Sequence, residues 1–228
     1  MGGNLNYVSE HTRPLPTIAF AESQLLQLPN GLPKDTTLKA INIRLSGSVV
    51  TTFASGTPVA DAASTIDNLI QSIRVIRDGK DVLKNVRPHM LRMHQLYAKG
   101  FEGVRRSSAG AAAATVVTAD GAFAYGSSTN RSSVDENITL WFECIIADIG
   151  KESTWLNLKG SGSATLEMQA KPFSALLGFG NTAPVVYSGS TLQFEITTLE
   201  AQDVEPETKF SEWREFYRSE PFTGENVA

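Results

Sequence analysis

The segment from Ile73 to Gly100 constrains the fold of this chain more than any other. Its first part alternates as a strand up to Asp78-Gly79, a pair that tolerates the positive φ angles of a tight type I′ turn. The chain then returns through Val82-Leu83, and Pro88 suits the first turn of a helix that ends at Gly100. The sequence therefore predicts a hairpin that leads directly into a short helix.

Most of the remaining chain has the period-two pattern of β-strands. The stretch from Thr37 to Thr52 is the clearest, because Ile41, Ile43 and Leu45 fall on one face at its centre. Further strands are predicted at residues 17–28, 68–77, 137–146, 155–158, 164–170 and 192–197. With the return strand of the hairpin this makes about eight. The expected fold class is all-β, a sandwich with the helix between its fourth and fifth strands.

The domain organisation follows from where this pattern stops. Residues 1–16 are expected to form an extended N-terminal arm and 17–200 the sandwich. Residues 100–134, rich in Gly, Ala and Ser, are expected to form an inserted surface loop. Residues 201–228 are expected to form a C-terminal arm with a short amphipathic helix. The aromatic side chains on one face of that helix are Phe210, Trp213, Phe216 and Tyr217.

Charge is distributed unevenly along the chain. The stretch from Arg74 to Arg106 holds nine basic and three acidic residues, whereas 195–228 holds nine acidic and three basic ones. One interpretation is two unrelated solvated faces. The other is that the acidic tail of one copy lies on the basic hairpin and helix of a neighbour. The subunit-contact residues would then be Arg87, Arg92, Arg105, Arg106, Phe210, Trp213, Phe216 and Tyr217.

Composition excludes several classes of protein. The net charge of −4 argues against a protein that coats nucleic acid. Apolar runs stay well below the roughly 18 residues of a membrane span. The N-terminus lacks the pattern of a secretory signal, so synthesis in a cytoplasm is expected. The single cysteine, Cys144, lies in an apolar strand pattern and is expected to be a small buried hydrophobe.

No catalytic or metal-binding motif is visible in the sequence. His89 and His94 are five residues apart, which places them on different helical faces, and the single cysteine cannot complete a zinc site. No Gly-x-Ser-x-Gly elbow accompanies the serines. We therefore expect neither an enzyme nor a bound metal or cofactor.

Four motifs, in order, resemble a known family. They are Leu38–Gly47, Ile73–Lys80, the helix to Gly100, and Glu136–Phe142. They are similar to one half of the upright jelly-roll coat proteins of membrane-containing icosahedral phages, the corticovirus and tectivirus lineage. The resemblance covers roughly residues 36–100 and 135–200, and the chain holds one such unit where double jelly-roll coat proteins hold two.

The resemblance implies a single eight-stranded jelly roll that serves as a capsid protein of the virion of a bacteriophage. Its partners would be copies of itself in a hexameric or pseudo-hexameric capsomer, with or without a sister coat protein. The termini would lie near lipid of an internal membrane, and no direct contact with nucleic acid is expected.

Two other functions remain open from the sequence. One is a jelly-roll carbohydrate- or receptor-binding module, in which Trp141, Trp155 and Tyr125 would line the binding surface. The other is an enzyme on a cupin-type barrel, which the lack of a histidine cluster disfavours. Fold analogy alone does not choose between them.

Overall fold

A computed structural model of the chain describes residues 9–61, 64–99, 106–108, 117–118, 128–142, 154–202 and 214–217. Within these residues, thirteen strands form two sheets, accompanied by two α-helices and one 3₁₀ turn.

The larger sheet, called sheet A, is antiparallel. Its strands are β1 (Ser9–Pro14), β2 (Ile18–Ala19), β4 (Thr37–Thr52), β7 (Arg106–Ser108), β8 (Val117–Thr118), β9 (Thr129–Trp141), β10 (Leu156–Asn157) and β12 (Thr191–Gln202). The strand order is β1-β12-β4-β9-β7-β8, while β2 pairs with β12 and β10 pairs with β4. The long strands β12, β4 and β9 form its centre.

The smaller sheet, sheet B, has the order β13-β6-β5-β11-β3. Its strands are β3 (Leu25–Gln27), β5 (Ile70–Arg77), β6 (Asp81–Val86), β11 (Ala164–Ala170) and β13 (Glu215–Phe216). Helix α1 (Thr65–Leu69) precedes β5, helix α2 (Pro88–Lys99) follows β6, and the 3₁₀ turn is Phe173–Leu176.

The chain crosses between the sheets at most of its long connections. From β2 in sheet A it passes to β3 in sheet B, returns to β4 in sheet A and crosses again to β5 in sheet B. After the β5–β6 hairpin it continues to β9 in sheet A, β11 in sheet B and β12 in sheet A. The four strands β1-β12-β4-β9 of sheet A face the four strands β3-β11-β5-β6 of sheet B. This winding is that of a double-sheet jelly roll.

The predicted two-sheet sandwich is therefore present, whereas the count of eight strands is not confirmed, because short strands extend the edges of both sheets. Ile41, Ile43 and Leu45 are fully buried, as their alternation in β4 predicts. Their partners across the sandwich include Ile73, Val75 and Leu166.

Two glycines occupy positions where a residue with a Cβ atom would be strained. In the β5–β6 hairpin, Asp78 and Gly79 both have positive φ, 52° and 71°, as a type I′ turn requires. Gly47 in β4 has φ 132°, and a Cβ atom there would lie 2.0 Å from the carbonyl oxygen of Thr191 on β12. Only glycine permits this close approach between the two central strands of sheet A.

Two expectations about the chain's organisation need correction, and a third falls partly on residues that the structure does not describe. Ser9–Pro14, expected within the extended N-terminal arm, belongs to the sandwich: it pairs as β1 with β12, where Ser9 lies opposite Gln202. Strand β9 begins at Thr129, so the end of the expected 100–134 loop is strand; Arg106–Ser108 and Val117–Thr118 are also strands. Residues 143–146 of the expected 137–146 strand, with Cys144, lie outside the described residues.

Helices also differ from the sequence-based expectation. Residues 65–69 form α1, where the sequence predicts a loop and the start of a strand. The described end of the C-terminal segment is strand β13 rather than helix, because Glu215 and Phe216 pair in parallel with Lys84 and Asn85 of β6. The backbone N–H of Tyr217 continues this pairing by donating to the Asn85 carbonyl at 2.8 Å.

Candidate assembly surface

The β5–β6 hairpin is anchored at both of its ends. At the turn, the Asp78 carboxylate accepts hydrogen bonds from the backbone N–H groups of Gly162 (2.8 Å) and Ser163 (3.0 Å), which precede β11. At the other end the chain enters α2 directly after β6. The outer edge of β6 is thus held in a fixed position on sheet B.

Residues 214–217 dock on this edge, and we call them the C-terminal clasp. The clasp residue Glu215 accepts a hydrogen bond from Lys84 Nζ at 2.6 Å, and the Lys84 side chain is fully buried. His94 Nδ1 of α2 lies 3.4 Å from the second carboxylate oxygen of Glu215. Because a buried ammonium needs a counter-charge, the Glu215 carboxylate stabilises the Lys84 side chain beneath the clasp.

Arg214 fixes the first residue of the clasp. Its guanidinium donates to both carboxylate oxygens of Asp81, at 2.8 and 3.3 Å. Arg77 donates to the same carboxylate at 2.6 Å, and this hydrogen bond, with the positive charges of both arginines, holds the pKa of Asp81 below its usual value. Asp81 therefore stays ionised and joins the hairpin to the clasp.

Tyr217 completes the clasp through an aromatic contact. The Arg87 guanidinium carbon lies 4.1 Å from the centre of its ring, in the position of a cation–π pair. Between the clasp and α2 runs a groove of about 250 Å³. It is lined by Val86, Met90, His94, Arg214, Glu215, Phe216 and Tyr217. Met90 and Phe216 are exposed there, by 37% and 60%.

A second charged cluster lies inside the fold. Arg92 of α2 donates to Asp67 of α1 at 2.7 Å and to Glu136 of β9 at 2.9 Å, and it also contacts the hydroxyl of Ser64. Glu136 accepts the backbone N–H groups of Thr65 (3.0 Å) and Ile66 (3.1 Å) at the start of α1. Both helices are thereby tied to sheet A.

Two opposing effects act on the pKa of the Glu136 carboxyl group. Loss of hydration raises the pKa of its carboxyl group, and the N–H of Ile66 and the positive charge of Arg92 act in the other direction. The cluster is structural in character: its charges face one another rather than a cleft.

The outer face of sheet A is polar. Arg44 of β4 donates to Asp135 of β9 at 2.7 Å and to Glu195 of β12 at 2.9 Å, so one guanidinium links three neighbouring strands. The hydrogen bond to Asp135 raises the pKa of Arg44. A hydrogen bond from Ser46 lowers the pKa of Glu195.

Two stretches that meet at one end of the sandwich hold no charged residue. The stretch 45–60 and the stretch 172–194 hold no Asp, Glu, Lys or Arg. They meet where the N–H of Gly178 donates to the Val59 carbonyl at 2.7 Å. Phe179, next to Gly178, is fully exposed, and Val59 and Val186 are about half exposed. Exposed apolar side chains grouped in this way are typical of contact surfaces.

Metal and membrane sites are not indicated by the part of the chain that the structure describes. Within it, no group of three His, Cys, Asp or Glu side chains is placed to hold a metal ion. Among the same residues, none of the helices has both the length and the apolarity needed to cross a bilayer.

Comparisons with known proteins show a likeness of fold. No protein-family model matches the chain, and no curated protein matches it significantly. Among solved structures it is similar to the STIV MCP, a viral major capsid protein, with TM-score 0.52 and 14% identity over 84% of this chain and 48% of that chain. The fold is similar to a viral capsid jelly roll.

A second match agrees with the first. The atomic structure of Sulfolobus Turreted Icosahedral Virus matches with TM-score 0.52 and 14% identity, over 83% of this chain and 44% of that chain. The chain thus spans about half the length of the capsid jelly-roll structures it matches. At this level of identity, the likeness concerns the fold.

The expected contact residues fall into three groups in this capsid-like jelly roll. Arg87, Phe216 and Tyr217 come together at the clasp. Arg92 is only 7% exposed and binds Asp67 and Glu136 within the chain, so the structure gives it an internal role. Arg106 begins β7, opposite Asp135. The other expected residues, Arg105, Phe210 and Trp213, lie outside the described residues.

Sequence reasoning missed Lys84, Glu215 and Asp81 as individual contact residues. The signal was present in coarse form, because one of the two interpretations of the charge pattern has the acidic tail lying on the basic hairpin and helix. The structure forms this contact within one chain, where the expectation placed it between copies. The pairing of Lys84 with Glu215 depends on a two-residue strand, which leaves no periodicity to detect.

Proposed function

We propose that the chain is a structural coat protein of a virion. The observation that carries the proposal is its fold: a jelly roll of two facing sheets, similar to a viral major capsid protein over 84% of the chain. The step from fold to function is an analogy. It gains support from the charged clusters, which join strands and helices to one another as a structural protein requires.

The capsomer proposed here is built from several copies of the chain. One copy spans 48% of the STIV MCP. Six copies would make a hexameric ring, or a sister coat protein would share the positions of a pseudo-hexameric one. A sandwich of this kind leaves its sheet edges and end loops free for lateral contacts.

Further details of the virion belong to the same proposal. We place the coat around an internal membrane, with the chain ends towards lipid and without direct contact to nucleic acid, and we expect synthesis in the cytoplasm of the host. The net charge of −4 supports separation from the genome. Assignment to a bacteriophage of the corticovirus and tectivirus lineage rests on the sequence motifs alone.

The structure weakens the alternative of a carbohydrate-binding module. That function needs exposed aromatic rings, yet Trp155 is 5% exposed and lies beneath Lys39, whose Nζ is 5.6 Å from its ring centre. Trp141 is half-buried, and Tyr125 lies outside the described residues. An aromatic platform therefore has less support than a coat.

Light scattering and electron microscopy of the purified protein test the proposal. A coat protein should form rings of about six copies or larger shells, alone or after mixing with a sister protein from the same genome. A monomer at all concentrations that binds an immobilised glycan would contradict the coat and favour the binding module.

A further inference from the structure

The clasp occupies an edge that would otherwise be open. Strand β6 pairs with β5 on one side, and on the other its partner in the described structure is the two-residue β13. An open strand edge readily pairs with another chain. The clasp is therefore a small element that covers one edge of sheet B.

Side-chain contacts make this edge specific for the clasp sequence. Three contacts are involved: Lys84 with Glu215, Asp81 with Arg214, and Arg87 with Tyr217. Every one joins a residue of the hairpin or its exit to a residue of 214–217. The edge thus recognises a short strand with alternating charge and an aromatic end.

The clasp is joined to the sandwich by a long connection. Strand β12 ends at Gln202 and the clasp begins at Arg214. At the usual reach of an extended chain this connection spans up to about 40 Å. A connection of this length lets the clasp dock away from its own chain without displacing β12, as exchange of an element between copies requires.

The docked clasp also leaves apolar surface uncovered. Phe216 is 60% exposed and Met90 is 37% exposed, and both line the same groove beside α2. An adjacent copy that approaches β6 would cover both side chains. The groove and the clasp then belong to one continuous contact surface.

We propose that assembly exchanges the clasp between copies, so that residues 214–217 of one chain pair with β6 of the next. This inference rests on the proposed coat function. Exchange keeps every contact of the clasp, because each copy gives one strand and receives an identical one. The partner of the groove is therefore a second copy of this chain.

Cysteine cross-linking tests the exchange directly. Asn85 and Phe216 are paired residues of β6 and β13. In a background with Cys144→Ser, one chain carries Asn85→Cys and a second chain carries Phe216→Cys. The two chains are mixed during assembly and then oxidised. Exchange predicts a covalent heterodimer in higher yield than either homodimer.

Control samples separate the possible results. A chain with both cysteines should form cross-linked oligomers if clasps are exchanged, and an internally linked monomer if each clasp stays on its own chain. If particles assemble but only the internal link forms, the exchange is wrong and the coat function stands. If the chain never assembles, both proposals fail.

Paired charge reversals provide a second test that does not depend on oxidation. Asp81→Lys and Arg214→Glu each place like charges at the clasp when a variant assembles alone. In a mixture, exchange lets the edge with Asp81→Lys receive the clasp with Arg214→Glu, which restores opposite charges. The Arg214→Glu variant keeps Asp81 on its edge, and this edge receives the clasp of the Asp81→Lys variant, which keeps Arg214. Assembly of the mixture should therefore recover several-fold. A mixture that assembles no better than the two variants separately overturns the exchange.

Discussion

Lys84 Nζ lies 2.6 Å from Glu215 Oε2, although the two residues are 131 positions apart in the chain. The pair joins the last described segment to the hairpin at the edge of sheet B. It also neutralises a lysine that is fully buried. This relationship links the stability of the fold to the placement of its C-terminal segment.

Glu215→Gln should lower the free energy of unfolding by about 3 kcal/mol, because it leaves the buried Lys84 without its carboxylate. Chemical denaturation measures the change. Glu195→Gln is the matched control, since Glu195 also pairs with a basic side chain, that of Arg44, but lies on the exposed face of sheet A. Its effect should stay below about 1 kcal/mol. Equal effects of the two substitutions would contradict the role given to Lys84.

The Arg92 and Glu136 pair should behave as one unit. Arg92→Met or Glu136→Gln alone should destabilise the fold by about 3 kcal/mol, because each removes one of the charges that balance one another in the buried cluster. The double variant should lose less than the sum of the two, by at least about 1 kcal/mol. Denaturation of all four proteins in a double-mutant cycle measures the coupling. Strict additivity would show that the contact seen at 2.9 Å contributes nothing of its own.

Asp81 should titrate below its usual pKa of 3.8. Its folded-state pKa is depressed, so its contribution to stability is present above pH 3.8 and is lost as the pH falls through the lower folded-state value. Carbon-detected NMR of the Asp81 carboxyl group measures the titration. Arg77→Ala should shift the pKa back towards 3.8 more than Arg214→Ala, because the hydrogen bond from Arg77 is the largest cause of the shift. The reverse order would show that the clasp dominates.

Gly47→Ala should destabilise the sandwich by at least about 2 kcal/mol through overpacking. The new methyl group would lie 2.0 Å from a backbone oxygen of β12, which cannot move without breaking the sheet. Gly160→Ala is the control, because Gly160 also has positive φ but has no neighbouring atom within 4 Å. It should cost about 1 kcal/mol from backbone strain alone. Thermal unfolding of the two variants compares them.

Phe179→Ser should leave the free energy of unfolding unchanged within about 0.5 kcal/mol, since the side chain is fully exposed. The same substitution should reduce assembly, because it removes a fully exposed apolar side chain next to the exposed Val59. Sedimentation of wild-type and variant protein at matched concentrations measures the second effect. Unchanged assembly would show that this part of the surface does not form a contact between subunits.

The parts of the fold with strong local signals could be predicted from the sequence. Strands Thr37–Thr52 and Ala164–Ala170 have the expected bounds, because apolar residues alternate at the centre of each and lie on a buried face. The β5–β6 turn follows from the backbone needs of Asp78 and Gly79. Helix α2 was also expected, from Pro88 onwards.

The missed elements depend on contacts between distant residues. Helix α1 has only five residues, and it is held by the Ser64 cap and by Glu136 from β9. A Ser-x-x-Asp pattern at Ser64 and Asp67 was its one local signal. Strand β13 has two residues and exists because Lys84 and Asn85 offer it an edge. Neither element could stand without the rest of the fold.

The site could be predicted only as an attraction between regions. The segregated charges indicated that the basic hairpin and the acidic tail would meet. They did not indicate that Arg92 binds within an internal cluster, since a buried and an exposed arginine look alike in sequence. Which residues pair with the edge of β6 depends on where the folded chain places them.

The pairing of Ser9 with Gln202 means that the polypeptide enters and leaves sheet A at a single corner. Two fluorescent labels, one attached at Ser9 and the other at Gln202, would therefore lie side by side.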